Sequence, residues 1–405
     1  MNKLICIPLF LSGILFAQQR QDSIQFKKIS DFTLTEGIGY ENLRYLTKKI
    51  GHRLSGSEAY EQAVVWAAKT LKEAGADKVW MQDVTVPVWE RGKESLQVKG
   101  TDGHWHMVNM LSLGNSEGTA GKDVTAEIVM VNSLDEFNNL PESAVKNKTV
   151  FFNHKFRQDF VETFMGYSDA GIYRRSAASV AAKKGAKFVI IRSLSTGADD
   201  IPHTGGMRYD DETAKIPAVA IGNYSADELA KILTKGKLSA KLNSNCGMKG
   251  EKISRQVIGE ITGKKDSKVI VVAGHLDSWD VGEGAHDDGA GIVQSIEVLR
   301  NFKKLGIENN HTIRIVCFAN EENGVRGGLR YAEEVQKTGE PHLFAIESDA
   351  GGFTPRGIAV QANEKLRAQV QNWSGLFLPY GVYDFSKNYG GTDVGPLAKL
   401  GIPIG

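Results

Sequence analysis

The sequence predicts an α/β fold in which helices cover both faces of a mainly parallel, mixed sheet, with a smaller α/β domain inserted into it. Three observations predict this. Between residues 268 and 376 short apolar runs alternate with helical patterns, as buried parallel strands joined by crossover helices do. Three of those runs end in acids or histidine, and open α/β sheets bind ligands beyond the carboxyl ends of their strands. Residues 119–247 carry a strand–helix alternation of their own, behind a stretch rich in Gly, Ser, Asn and Asp at 114–123. The expected division is therefore 18–118 and 248–405 for the two parts of the larger domain and 119–247 for the insertion.

The first residues read as an address label. Lys3, the apolar run Leu4–Phe16 and Ala17 before Gln18-Gln19-Arg20 fit a secretory signal peptide over residues 1–17. The run is shorter than the roughly 20 residues that span a bilayer. A soluble exported protein, secreted or periplasmic and without membrane attachment, is the expectation. Cleavage would leave Cys246 and Cys317, too few for a disulfide framework. A bridge between them stays open, although Cys317 lies inside the apolar run 313–319 and reads as a buried small hydrophobe. The 49 Lys and Arg balance the 48 Asp and Glu with no basic stripe, which argues against nucleic acid as a partner. Homodimerisation is left open.

Helices are expected over 41–50 and 58–74, the second with Val64, Val65, Ala68 and Leu71 at helical spacing and Gly75 as its stop. Strands follow at 79–88 and 95–99, then, in the inserted block, at 127–131, 149–153, 187–191 and 217–221, with helices over 173–184 and 226–233. In the last part, apolar runs at 268–273, 312–319, 343–346 and 357–360 alternate with helices over 289–305, 325–337 and 364–376.

The chemistry sits at three strand ends. The run 269–273 leads into Gly274-His275-Leu276-Asp277, the run 313–319 into Asn320-Glu321-Glu322, and the run 343–346 into Glu347-Ser348-Asp349. Between the first strand and its helix lies Gly284-Ala285-His286-Asp287-Asp288-Gly289. So many carboxylates on one rim would repel one another without a cation between them. One His among carboxylates suits zinc, and also cobalt or manganese, and the repeated acids favour two ions bridged by one carboxylate. In His275-x-Asp277 the Asp lies within reach of the imidazole nitrogen facing away from metal, as an orienter does. Adjacent side chains at Glu321-Glu322 diverge, so one can bind metal while the other acts as general base toward the attacking water. Taken singly, each has a plainer reading: a surface pair for His-x-Asp or Glu-Glu, a helix cap for Asp287-Asp288.

These motifs resemble the di-zinc exopeptidases that include plasma glutamate carboxypeptidase (carboxypeptidase Q) and the bacterial leucyl aminopeptidases, and are closest to the plasma glutamate carboxypeptidase branch. The likeness rests on Gly274–Gly282, Gly284–Gly289, Glu321-Glu322, Glu347–Gly351 and Gly391-Thr392-Asp393, and extends to Arg53-Leu54-Ser55-Gly56-Ser57. It implies a zinc-exopeptidase fold and identifies the inserted block with a protease-associated domain. It implies that His275 and Asp349 hold one zinc, that Asp287 bridges and that Glu322 holds the other. Glu321 becomes the general base and acid, Asp277 the orienter, and the peptide between Asp287 and Asp288 is expected cis. The substrate expected is a dipeptide or short peptide. The resemblance also implies a final His ligand after the apolar segment 401–404. The sequence stops at Gly405, so the His275 zinc is expected to bind better than the other and the chain to have little activity. A single-zinc enzyme resembling glutaminyl cyclases and a non-catalytic relative are the competing readings.

Three signals are weaker. Gly166-Tyr167-Ser168-Asp169-Ala170 imitates a serine-hydrolase elbow but lacks a buried strand before it. His203-Thr204-Gly205-Gly206 and Tyr389-Gly390-Gly391-Thr392-Asp393 read equally as site loops or as plain turns, and His52, His104, His106, His154, His311 and His342 read as structural or exposed.

Overall fold

A computed structural model describes the backbone of residues 6–405 and the side chains of residues 20–405, so the side chains of the expected signal peptide lie outside the described residues. The first strands in chain order are β1 Lys78–Glu90, β2 Glu94–Lys99, β3 Trp105–Val108 and β4 Met110–Ser112. They continue with β5 Val124–Val131, β6 Thr149–Phe152, β7 Phe188–Arg192, β8 Ala218–Ile221 and β9 Ser239–Ser244. The last are β10 Gly247–Ile261, β11 Val269–His275, β12 Thr312–Phe318 and β13 His342–Glu347. The chain forms two units, one of residues 1–86, 253–278 and 282–405, the other of residues 87–252 and 279–281.

The first unit contains a five-stranded sheet in the order β1-β10-β12-β11-β13. The pairs β11–β12 and β11–β13 are parallel, while β10 runs antiparallel to β12. Every residue of β12 is buried, as expected of an apolar run covered on both faces. Its alternate residues divide between two cores. Ile315 and Cys317 pack with Val64, Leu71, Ile292 and Ile296, whereas Val316 and Phe318 pack with Tyr331 and Val335. The helix Glu58–Ala74 begins where the Ser57 hydroxyl accepts the Tyr60 N–H, and it stops at Gly75, left-handed at φ +99°. Cys246 and Cys317 are both buried free thiols, so no bridge joins them.

One polar group interrupts this core. Arg314 on β12 donates to Glu260 on β10 at 2.8 and 3.0 Å, to Glu340 at 2.6 and 2.8 Å and to the Tyr331 hydroxyl at 3.1 Å. Arg314→Met would leave the buried Glu260 carboxylate short of its main partner. The expected cost is about 3–5 kcal/mol, read as a lower midpoint in denaturant. An unchanged midpoint would mean that the pair contributes nothing net.

The second unit contains an eight-stranded sheet in the order β3-β2-β9-β5-β6-β7-β8-β4. Its β5–β6–β7–β8 centre is parallel and mostly apolar, with antiparallel strands at both sides. The unit starts at Pro87 rather than near residue 119, because β2 pairs with β9 from far along the chain. Trp279–Val281 belongs to this unit. The Trp279 indole lies against Gly114, where a Cβ would come within 1.9 Å of it, and Arg91 grips Asp280 through two bonds of 2.7 and 2.8 Å. Ser168 is exposed in mid-helix within Thr163–Ala182, so the elbow-like motif forms no elbow. Among the described residues no helix is long and apolar enough to cross a membrane.

Candidate metal centre

Strand β11 delivers His275 at its carboxyl end, where the side chain is fully buried. The imidazole is held by its Nδ1, which lies 3.0 Å from the backbone carbonyl of Asp277, while the nearer Asp277 carboxylate oxygen stands 3.7 Å away. The opposite nitrogen, Nε2, has Asp287 Oδ1 at 2.9 Å and Asp349 Oδ1 at 3.3 Å, yet no hydrogen bond of acceptable direction. The donor atoms of His275, Asp287 and Asp349 all lie within 4.8 Å of one another. A buried imidazole nitrogen without a hydrogen bond, faced by two carboxylates, is a set of donors that could hold a metal ion such as zinc. Burial disfavours the imidazolium, but Asp287 and Asp349 outweigh it and push His275 well above its ordinary value.

Asp277 is fully buried and burial pushes its carboxyl up. Its oxygens accept the backbone N–H groups of Glu321 at 3.1 Å and Glu322 at 3.3 Å. The side chain expected to orient the imidazole therefore aims the turn after β12, while its carbonyl orients the ring. That turn leaves the strand through Asn320, left-handed at φ +68°. Burial pushes Glu321 up to about 7, and burial together with repulsion from Asp287 pushes Glu322 well above the carboxylate range. Glu322 stands outside the tight group of three donors.

Three further residues build this site, and a search for metal-ligating side chains passes them by because they act on backbone groups. Asp288, fully buried, accepts the N–H of His275 at 2.9 Å and of Gly291 at 3.0 Å, tying the end of β11 to the helix Ala290–Leu305. The peptide between Asp287 and Asp288 is cis, as expected. Arg53, also fully buried, donates to the carbonyls of Gly51, Leu276, Glu283 and Gly284 at 2.6–3.3 Å. It satisfies the carbonyls of the irregular segment between His275 and Asp287 and sets a positive charge behind the acids. Glu347, at the end of β13, accepts the N–H groups of Asp393 at 2.9 Å and Val394 at 3.2 Å. This explains the Gly391-Thr392-Asp393 motif: a Cβ on Gly391 would lie 2.3 Å from the Glu347 carboxylate.

Three other histidines form side-chain pairs away from the site. His154 bonds Asp169 at 2.7 Å, His311 bonds Asp266 at 2.7 Å, and His342 bonds the Tyr331 hydroxyl at 2.9 Å.

Comparison with known proteins shows the family. Residues 256–405 match the model of peptidase family M28. Carboxypeptidase Q of Homo sapiens is 34% identical over 366 residues, which is 90% of this chain and 75% of that protein. The crystal structure of a peptidase M28 precursor from Shewanella amazonensis superposes with a TM-score of 0.89 at 32% identity, covering 95% of this chain and 87% of that one. A zinc aminopeptidase from Bacillus subtilis shares the fold at a TM-score of 0.64 and 20% identity, over 90% of this chain and 82% of that one. With its mixed sheet, its rim of acids around one buried histidine and these relatives, the chain belongs to peptidase family M28, a family of metallo-exopeptidases.

Proposed function

We propose that the protein is an exported exopeptidase that hydrolyses dipeptides or short peptides at a site for two zinc ions. The observation that carries this reading is the convergence of Asp287 and Asp349 on the buried, hydrogen-bond-free Nε2 of His275. In this reading His275, Asp287 and Asp349 would hold one ion, and Asp287 with Glu322 would hold the other. Zinc, when bound, supplies a Lewis acid that polarises the scissile carbonyl and makes water more acidic.

The chain's own residues do the rest. Glu321 follows β12 directly and has its backbone fixed by Asp277, so its carboxylate is held beside the ligand Glu322. It takes a proton from the attacking water and passes it to the leaving amine. Asp277 thereby keeps the imidazole and the base in register, through its carbonyl and its carboxylate respectively. The inserted unit corresponds to a protease-associated domain. Export follows from the apolar leader at residues 4–16.

Unblocked dipeptides, peptides acetylated at the amino end, peptides amidated at the carboxyl end and a peptide beginning with Gln test the reading. Hydrolysis of unblocked dipeptides should vanish on dialysis against a chelator and return with zinc. One of the two blocks should abolish cleavage and so identify the end that is read. Hydrolysis indifferent to the chelator, or cyclisation of the Gln peptide in place of hydrolysis, would overturn it.

A further inference from the structure

We propose that His286 is a positioning residue for the metal centre, latching the loop that carries Asp349 onto the segment that carries Asp287. This rests on the metal-centre reading above and adds to it a residue that binds neither metal nor substrate.

His286 directly precedes Asp287, and its Nδ1 accepts the backbone N–H of Gly352 at 3.2 Å. Gly351 is left-handed at φ +86°, and a Cβ there would lie 1.9 Å from the imidazole Cε1 and 2.0 Å from Nε2. The ring therefore rests on the bare α-carbon of Gly351, and any side chain at 351 would displace it. Phe353 closes over the imidazole, with ring centroids 5.0 Å apart and planes at 59°.

The position of this latch matters because Asp349 is otherwise anchored from one side. Before it, Ser348 donates its N–H to the carbonyl of Ala273 at 2.8 Å and its hydroxyl to Gln294 at 3.0 Å. After it, among the described residues, no other hydrogen bond holds residues 350–353. His286 thus fixes the far side of the loop, and fixes it to the neighbour of the other carboxylate facing His275 Nε2. Partners of this kind lower the cost of ordering ligands when the ion arrives. Because Nδ1 accepts, the neutral ring carries its proton on Nε2. An Asn side chain can present its Oδ1 near the Nδ1 position and keep the bond, whereas Ala cannot.

The test is zinc affinity, measured by competition with a chromophoric chelator on the intact protein and on His286→Ala, His286→Asn, Gly351→Ala and Asp349→Ala. His286 is exposed, so its variants should fold and keep the parent's melting temperature without metal. His286→Ala should bind zinc about 10–100-fold more weakly. Gly351→Ala should weaken it in the same direction, and His286→Asn should restore most of the loss. Parent-like affinity in His286→Ala, or an Asn variant as weak as the Ala variant, would overturn the proposal. Asp349→Ala separates the two readings: if it too binds zinc as the parent does, the metal-centre reading fails and not the latch alone.

Discussion

Replacing Glu321 by Gln is expected to lower peptide hydrolysis by about 10²–10⁴-fold, the usual contribution of a positioned general base, while zinc content stays at the parent level. Gln has the shape of Glu and keeps the backbone N–H that Asp277 accepts at 3.1 Å, so the turn after β12 should stay in place. What is lost is the ability to take a proton from water and return it to the leaving amine. Glu321 is also one of several acids crowded into a buried cluster, raised by burial and by the negative charges around it. Its neutralisation should therefore not destabilise the metal-free protein. Steady-state kinetics on an unblocked dipeptide, beside metal analysis of the same sample, checks both halves. An unchanged kcat would remove Glu321 from the mechanism, and a loss of zinc would make it a ligand instead.

Asp287→Ala should have at least as large an effect on turnover, for a different reason. Asp287 approaches His275 Nε2 at 2.9 Å and raises Glu322 by repulsion, so it stands between the two halves of the proposed site. Losing a shared ligand should weaken zinc binding by more than the 10–100-fold typical of a residue that merely supports one. The Asp287 side chain is 62% exposed, so removing it costs little packing. It loses the pairing with His275 at 2.9 Å and relieves the repulsion on Glu322, two effects of opposite sign. The expected pattern is a metal-free melting temperature close to the parent's, with little of the rise that zinc gives the parent. Parent-like stabilisation by zinc in Asp287→Ala would contradict the assignment.

The features legible in the sequence were those written in residue type along a short stretch. The apolar runs at 268–273, 312–319 and 343–346 become β11, β12 and β13, and the residues just past them form the site. Features set by pairing across long separations were not legible. Strand β10 was missed because its first half, at 247–253, is polar and exposed and reads as a loop, while only its second half enters the core. The second unit takes in β2, whose pairing with β9 far along the chain no local pattern announces. The helix Thr163–Ala182 was shortened because Phe164 and Met165 lie exposed in its first turn and break the amphipathic pattern.

The site divides in the same way. His275, Asp287 and Asp349 carry their chemistry in their side-chain types and could be picked out. Asp288, Arg53 and Glu347 work by gripping N–H and C=O groups of the segments that carry those ligands, and nothing in residue type announces such a role. Asp277 shows both sides: the His-x-Asp spacing placed it beside the imidazole, but its carboxylate serves Glu321 and Glu322 and its carbonyl serves the ring.

The most direct test is anomalous scattering from zinc-soaked crystals, recorded on both sides of the zinc absorption edge. A peak about 2.0–2.2 Å from His275 Nε2 and from carboxylate oxygens of Asp287 and Asp349 is expected. Crystals that bind zinc elsewhere, with no peak between His275 and the two carboxylates, would contradict the account.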